Sequence, residues 1–583
     1  MGTIGADIVA HTLEKLSVEH AFGICGHGNL SLLDSLLDTE IKFISTYHEQ
    51  IAAHAADAYY RVSGKPGVVI TTIGPGLTNT ITALLDAQMD SSAVVVIAGD
   101  VPVDYVGKGA LQELQLHEDA SQTQIFKPLT KKVFRPLTVD QIPDMLVRAF
   151  HTATSGCPGP VLVSIPLDLY SESTDIKIEN IGSRLIGPQR IRGDIDAIQK
   201  ASELLINAKK PLIYAGGGVN VSGANQELLL LSEYLGIPVS TTMIGQGAIP
   251  EDHPLSAGFT GTVGTPIANK LVKEADVIFA IGTGFSEMDA NSWQEDYFLQ
   301  TASTKLIHAD IDPLQIGKIY DTEIGIIGDA KAIVTDLFAE IKAKVPQRVW
   351  EESAYFKSLD DQRNKWKEEL TQVQLPTETP MQPATVLKEV RNILPRDGIL
   401  VSGVGIRHAI GQHFPIYGPQ THIVASGFGT MGQEIPAPIG AKLACPDKQV
   451  IAVVGDGAFH NLPNSIGTAA KYKIPVIWVV LNNNGYASIA IYQAKHFGRH
   501  NSTYFSDIGN AKTEPDTLMV AKAYGVASIS VKKYEELRPA LEKAAASNEP
   551  YVIDVHVTQK PSIRSSGHWD VNDILAKGSK LTK

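Results

Sequence analysis

The sequence predicts an α/β chain of three doubly wound parallel-sheet domains, and three observations carry that expectation. Short apolar runs such as Val450–Val454 end in glycine-rich turns, here Gly455-Asp456-Gly457, as strands buried in a parallel sheet do. Helical spacing alternates with these runs. Asn464–Tyr472 reads as a helix and Ile474–Leu481 as the next strand, a right-handed unit that brings both strand ends to one sheet edge. At 583 residues the chain also exceeds a single core, and its length suggests about three or four domains.

In the first third, Ala6–Leu16 has helical spacing and His20–Ile24 is a strand running into Gly26-His27-Gly28-Asn29. Phe43–Thr46 is the next strand, and Tyr47-His48-Glu49-Gln50 opens an alanine-rich helix, Ile51–Arg61. Glu49 has two readings: a first-turn acid favoured by the helix dipole, or a group facing a ligand at a strand-to-helix junction. After the strand Val94–Ile97 comes a loop with Gln112, Gln115 and His117, the last two either solvated polar groups or substrate contacts. Gly159–Asp168 holds the strand that closes this part. Asn180–Arg192 is polar and irregular, a linker.

In the middle third, Leu212–Ala215, Pro238–Thr242, Val277–Gly282 and Lys305–Asp310 read as strands. Gly216-Gly217-Gly218 after the first of them is either an anion cradle or a tight turn. In the last third, Tyr355–Leu370 is a charged amphipathic helix, most simply a solvated connector, and Pro376–Pro383 is a linker. Ala384–Leu394 is helical, and the strand Gly398–Ser402 ends in Gly403-Val404-Gly405-Ile406-Arg407-His408. Asp456 and Asn483 lie 27 residues apart at the ends of successive strands. Either these are two ordinary strand-end turns of an α/β domain, or, with the carbonyl of Gly485, they converge as hard oxygen ligands suited to Mg2+.

The balance of 44% apolar and 19% charged residues is that of a soluble globular protein. A formal charge of −13 and the lack of a basic cluster argue against a nucleic-acid partner. No apolar run reaches membrane-spanning length, and the N-terminus has no basic region followed by an apolar core. Cys25, Cys157 and Cys445 are few and scattered, which fits a reducing compartment; the expectation is a cytoplasmic protein.

Gly455-Asp456-Gly457 followed by Asn482-Asn483, with His48-Glu49-Gln50, the loop Gly74-Pro75-Gly76-Leu77-Thr78-Asn79 and Gly427-Phe428-Gly429-Thr430-Met431-Gly432, resembles the acetolactate-synthase-like family of thiamine diphosphate enzymes. The resemblance runs to about residue 560. It implies a pyrimidine-binding domain at 1–179, a central nucleotide-binding-like domain at 190–345, a diphosphate-binding domain at 376–560 and a tail at 561–583. It implies that Glu49 hydrogen-bonds the pyrimidine N1′ near Gly76 and Asn79, and that Gln112 reaches cofactor and substrate. Gly429 and Met431 carry the aminopyrimidine, with the Met431 side chain as a wedge or, alternatively, a plain core methionine. Gly455, Gly457, Ala458 and Arg407 meet the diphosphate, Asp456, Asn483 and Gly485 hold Mg2+, and Tyr486 lies beside them. It implies that His27, Asn29, Gln112, His117, Asn484 and Ile489 line the substrate pocket, where His27 is a catalytic candidate that orients a carbonyl or shuttles a proton, with a structural histidine the alternative. The site lies at a subunit interface of a homodimer or homotetramer.

The implied activity is cleavage or formation of a C–C bond next to a carbonyl: decarboxylation of a 2-oxo acid and carboligation to an aldehyde or ketone. Departures from the family pattern keep other readings open. Gly26-His27-Gly28-Asn29, Glu434 and Asn483-x-Gly485-Tyr486-x-x-Ile489 are similar to enzymes that hydrolytically open cyclic 1,2-diketones. A non-catalytic nucleotide-sensing relative is a third reading, opposed by intact Glu49, Asp456 and Asn483. Gly284–Asp289 lacks the arginines of FAD-binding members, so the central domain is read as vestigial, with FAD or ADP the alternative. Ser566-Gly567-His568-Trp569 in the tail either folds over the site or docks on the surface.

Overall fold

The computed structural model describes residues 3–114, 121–180, 190–374, 378–508, 514–560 and 566–578. Its strands form three six-stranded sheets in which every neighbouring pair is parallel. The first holds β1 (His20–Gly23), β2 (Lys42–Ser45), β3 (Gly67–Thr71), β4 (Val94–Asp100), β5 (Lys132–Phe134) and β6 (Val161–Pro166), in the order β2-β1-β3-β4-β6-β5. The second holds β7 (Pro211–Ala215), β8 (Val239–Thr241), β9 (Ser256–Phe259), β10 (Val277–Ile281), β11 (Lys305–Asp310) and β12 (Ile324–Ile327), in the order β12-β11-β10-β7-β8-β9. The third holds β13 (Ile399–Ser402), β14 (His422–Ile423), β15 (Val450–Gly455), β16 (Ile477–Asn482), β17 (Ala527–Val531) and β18 (Tyr551–His556). Its order, β14-β13-β15-β16-β18-β17, repeats the winding of the first.

Inner strands such as β4 and β16 are buried at every position, because helices cover both faces of each sheet. The winding sets where ligands can enter. In the first sheet the order reverses between β1 and β3, and in the third between β13 and β15, opening a crevice beyond the carboxyl ends of those strands. The loops there are Gly26–Asn29 and Ile73–Asn79 in the first domain, and Gly403–Arg407 and Gly455–Phe459 in the third.

First and third domains meet through two helices. Glu49–Ser63 presents the small residues Ala52, Ala53, Ala55 and Ala56, and Ala437–Ala444 approaches it at Gly440. A Cβ on Gly440 would lie 1.8 Å from the Ala55 carbonyl oxygen, so this crossing admits only glycine.

Some connections differ from expectation. The predicted solvated connector is a helix, Ala354–Val373, that docks on the central domain. Leu359 is fully buried, the Tyr355 hydroxyl donates to Pro211 O at 3.1 Å, and Arg363 Nη1 donates to His253 O at 2.6 Å. Within the predicted Pro376–Pro383 linker, Met381 is buried and pairs with Val557 beside β18. Residues 181–189 of the other predicted linker lie outside the described residues. The tail lies across two elements. His568 N donates to Asn291 Oδ1 at 3.0 Å, Asp570 N donates to Ser292 Oγ at 3.0 Å, and the Trp569 ring meets Tyr492 at 5.5 Å. It thereby ties the central domain to the Ala487–Phe497 helix, which carries Ile489. Among the described residues, no helix is long and apolar enough to cross a membrane.

Candidate active site

At the first crevice, His48 caps the Glu49–Ser63 helix by accepting from Gln50 N at 3.2 Å, which places Glu49 at its first position. Glu49 is 8% exposed. Its Oε2 accepts from Asn79 Nδ2 at 2.9 Å, and its Oε1 lies 3.3 Å from where a Cβ on Gly76 would stand. Glu49, Gly76 and Asn79 are thus brought together. Gln112 joins them with a left-handed backbone (φ 63°), its carbonyl 2.5 Å from where a Cβ on Gly74 would stand. The Gln112 Oε1 is buried and without a partner among the described residues.

Thr72, at the end of β3, ties in the remaining loop, and nothing in the sequence singles it out. Its hydroxyl accepts from Gly28 N at 3.1 Å, and its side chain closes on both Gly26 and Gly76. Asn29 is fully buried, with Oδ1 accepting from Gly26 N and Nδ2 donating to Ile24 O, each at 2.9 Å. It therefore shapes the turn that presents His27. His27 itself has no hydrogen-bond partner among the described residues, and His117 lies outside them.

At the other crevice, Asp456 follows β15 and is buried. Its Oδ1 accepts from Gly457 N at 2.9 Å and its Oδ2 from Gly485 N at 3.0 Å, yet burial still pushes the carboxyl up to about 7. Just beyond β16, the Asn483 Oδ1 is buried with no partner among the described residues. A carboxylate, an orphaned amide oxygen and the Gly485 carbonyl are the hard oxygen donors Mg2+ takes, so these residues fit that ion. The Tyr486 ring lies against Gly457, 2.6 Å from where a Cβ would stand, while nothing crowds Gly455. Ala458 is buried beside them. The left-handed Asn484 (φ 61°) turns the chain so that Ile489 stays exposed.

Gly429 (φ 74°) lies beside Val404, whose Cγ1 is 3.9 Å from where a Cβ on that glycine would stand. Met431 is 41% exposed, and its carbonyl accepts from Asn461 Nδ2 at 2.6 Å. Arg407 has no hydrogen-bond partner among the described residues, and burial holds its guanidinium below the ordinary value.

Within one chain, the loop that carries Gly429 is anchored at the opposite end of the helix from Glu49. Arg61 Nη1 donates to Val424 O, and Asp90 accepts from Ser426 N and Gly427 N. The loop bearing Gly429 is thereby rooted at Arg61, about 18 Å of helix from Glu49.

In the central domain the glycine triplet is engaged at the end of β10. Gly216 N and Gly218 N already donate to Ile281 O and Gly282 O, and the helix they open, Gly217–Ser222, is a single short turn and a half. Asp289, in the loop without arginines, is occupied by Met243 N and Ser286 Oγ. Two of the triplet's N–H groups and Asp289 are thus taken up within the protein.

Glu434, two residues ahead of the Pro436 cap of the Ala437–Ala444 helix, is 1% exposed, and burial pushes its carboxyl up to about 7. The protonated form suits the folded state, so its contribution to stability is present below the ordinary carboxyl value and is lost as pH rises toward 7. Glu434→Gln removes that dependence. Between pH 5 and pH 8 the variant should gain about 2–3 kcal/mol relative to the parent, read from urea melts of the ligand-free proteins. A constant difference across that range would contradict the prediction.

Comparison with known proteins agrees with this arrangement. The chain matches three thiamine pyrophosphate enzyme family models: the N-terminal TPP binding domain over residues 3–122, the central domain over 198–337 and the C-terminal TPP binding domain over 404–555. It is 36% identical over 570 residues to the probable acetolactate synthase large subunit of Methanocaldococcus jannaschii, covering 94% of this chain and 91% of that protein. It is 35% identical over 569 residues to the acetolactate synthase large subunit of Corynebacterium glutamicum, covering 96% and 87%. Two crevices with the chemistry for one cofactor, on three domains that all match the same family, place this chain among the thiamine pyrophosphate enzymes as an acetolactate synthase-like member.

Proposed function

We propose that the enzyme joins two 2-oxo acids with loss of CO2, holding thiamine diphosphate and Mg2+ between the first domain of one subunit and the third domain of another. The observation that carries this reading is the pairing of an acid, Glu49, at one switch-point crevice with an orphaned oxygen donor, Asn483 Oδ1, beside Asp456 at the other. Within one chain the Gly429 loop is rooted at Arg61, far along the helix from Glu49, which supports a site completed by a second copy. Exposed Leu111, Phe428, Met431 and Ile489 supply apolar surface for that contact. The proposal is of a cytoplasmic homodimer, or a homotetramer built from it.

Thiamine diphosphate, when bound, supplies an electron sink beside a substrate carbonyl. Glu49 holds a proton at the pyrimidine N1′, and Asn79 keeps its carboxyl turned. Asp456, Asn483 and the Gly485 carbonyl hold Mg2+, and the backbone N–H groups of Gly457 and Ala458 stand near the diphosphate. Met431 and Gly429 seat the aminopyrimidine. His27 and the amide of Gln112 orient the substrate carbonyl, with Asn484 and Ile489 bounding the pocket.

Incubating the full chain with pyruvate, thiamine diphosphate and Mg2+ should release CO2 and yield 2-acetolactate, identified by mass spectrometry. Free acetaldehyde with no acetolactate would leave a decarboxylase and overturn the carboligase reading. Ring opening of cyclohexane-1,2-dione with no turnover of pyruvate would overturn both.

A further inference from the structure

The loop proposed to seat the aminopyrimidine has little packing of its own, since Phe428 and Met431 are both exposed in the single chain. Two side chains nonetheless fix one of its peptides. The Met431 carbonyl accepts from Asn461 Nδ2 at 2.6 Å, and the N–H of the next residue, Gly432, donates to Glu434 Oε2 at 2.9 Å. The carbonyl and N–H of one peptide point in opposite directions, so the peptide plane is held from both sides.

The local backbone demands such a hold. Gly432 has φ 99°, outside the range side-chain-bearing residues adopt, and a Cβ there would stand 2.8 Å from Asn461 Nδ2. The glycine lets the amide close in, but it also leaves the peptide free to swing unless something holds it.

Glu434 is a firm anchor for this purpose. The Ile435 carbonyl beside it accepts from Trp478 Nε1 at 3.1 Å, and Trp478 is fully buried in β16. Ala437 N donates to Gln433 O at 3.1 Å, tying the same stretch into the following helix. The second carboxyl oxygen reaches the other cofactor loop. Glu434 Oε1 lies 2.6 Å from where a Cβ on Gly403 would stand, and Gly403 opens the Val404–Arg407 segment. Val404 in turn packs beside Gly429. One buried carboxyl thus touches the start of the β13 loop and the end of the Gly427–Gly432 loop. Burial favours its neutral form, which sits against a backbone without an unpaired charge.

We propose that Glu434 and Asn461 are positioning residues for the cofactor: together they lock the Met431–Gly432 peptide and so fix the Met431 side chain as the wedge under the aminopyrimidine. The inference rests on the reading of Met431 given above and assigns its rigidity to two residues that touch no cofactor atom. A preorganised wedge makes binding and turnover depend on both, because a swinging peptide must be ordered each time the cofactor enters.

The test measures thiamine diphosphate affinity by calorimetry with Mg2+ present, and kcat on pyruvate, for the full chain. Glu434→Ala and Asn461→Ala should each weaken cofactor affinity and lower kcat, by roughly 10- to 100-fold in kcat/Kd combined. Glu434→Gln should recover most of that loss, because its amide oxygen still accepts from Gly432 N–H. The deciding readout is a double-mutant cycle. In a Met431→Ala background, Glu434→Ala should add less than about a twofold further loss, since the side chain it positions is gone. A full, additive loss in that background would overturn the proposal, as would unchanged affinity and kcat in Glu434→Ala. Ligand-free melting temperatures identify any variant that is merely unfolded, and Asn461→Ala, at an exposed position, then carries the test. A parent chain that takes up no thiamine diphosphate would overturn the cofactor reading itself; uptake by the parent with no coupling between Glu434 and Met431 would overturn this inference alone.

Discussion

Glu49→Gln leaves the chain folded and lowers kcat on pyruvate by roughly 10²- to 10⁴-fold, the span a positioned proton-transfer group contributes. The substitution keeps the side chain's length and its hydrogen bond, since an amide oxygen can still accept from Asn79 Nδ2 where Glu49 Oε2 does now. It keeps the helix start too, which His48 caps independently. What it removes is a carboxyl that can hold and release a proton at the pyrimidine N1′. The expected pattern is therefore a collapse of kcat, with the melting temperature unchanged and cofactor binding weakened far less. Parent-like kcat in a variant shown to bind the cofactor would mean that Glu49 is only a first-turn acid.

How far the sequence reveals this architecture depends on how each element is marked. β4, β15 and β16 are legible because long apolar runs stop at Gly or Asn, which fixes both the strand and its functional end. Edge strands carry no such mark. β14 is only His422–Ile423, and β9 contains Gly258 with a left-handed backbone (φ 83°), so neither has periodicity to read. The helix Ala354–Val373 reads as solvated because its one fully buried residue, Leu359, stands among charged neighbours.

The same contrast divides the site. Asp456 and Asn483 stand at consecutive strand ends, where their spacing gives them away. Glu434 is marked in the sequence only by its similarity to the diketone-opening enzymes, while its burial against Gly403 and the Gly432 turn depends on contacts that motif spacing does not reveal. Motif spacing likewise gives no sign that the Asn461 amide bonds the Met431 carbonyl. The separation of Glu49 from the Gly429 loop is invisible to motif spacing altogether. It depends on Arg61 and Asp90 rooting that loop at the far end of the helix.

That separation makes the strongest use of Asp456. Asp456→Ala removes the carboxylate that, with Asn483 Oδ1, would hold Mg2+ under the proposed function, so cofactor affinity should fall by on the order of 10²-fold or more and activity with it. Alone, this variant and Glu49→Gln are both nearly inactive. Co-expressed with two different tags and purified for dimers, they should recover activity if each site draws Glu49 from one chain and Asp456 from the other. In a hybrid dimer, one site receives both lesions and the other receives neither. Random pairing makes about half the dimers hybrids, each with one intact site of two, so the mixture should regain about a quarter of parental activity. Selecting both tags should raise that to about half. A site built within one chain predicts the opposite, because every site then carries one lesion whatever its partner. Activity that stays at the level of the single variants in doubly tagged dimers would therefore place Glu49 and Asp456 in the same chain's site and end the interface reading.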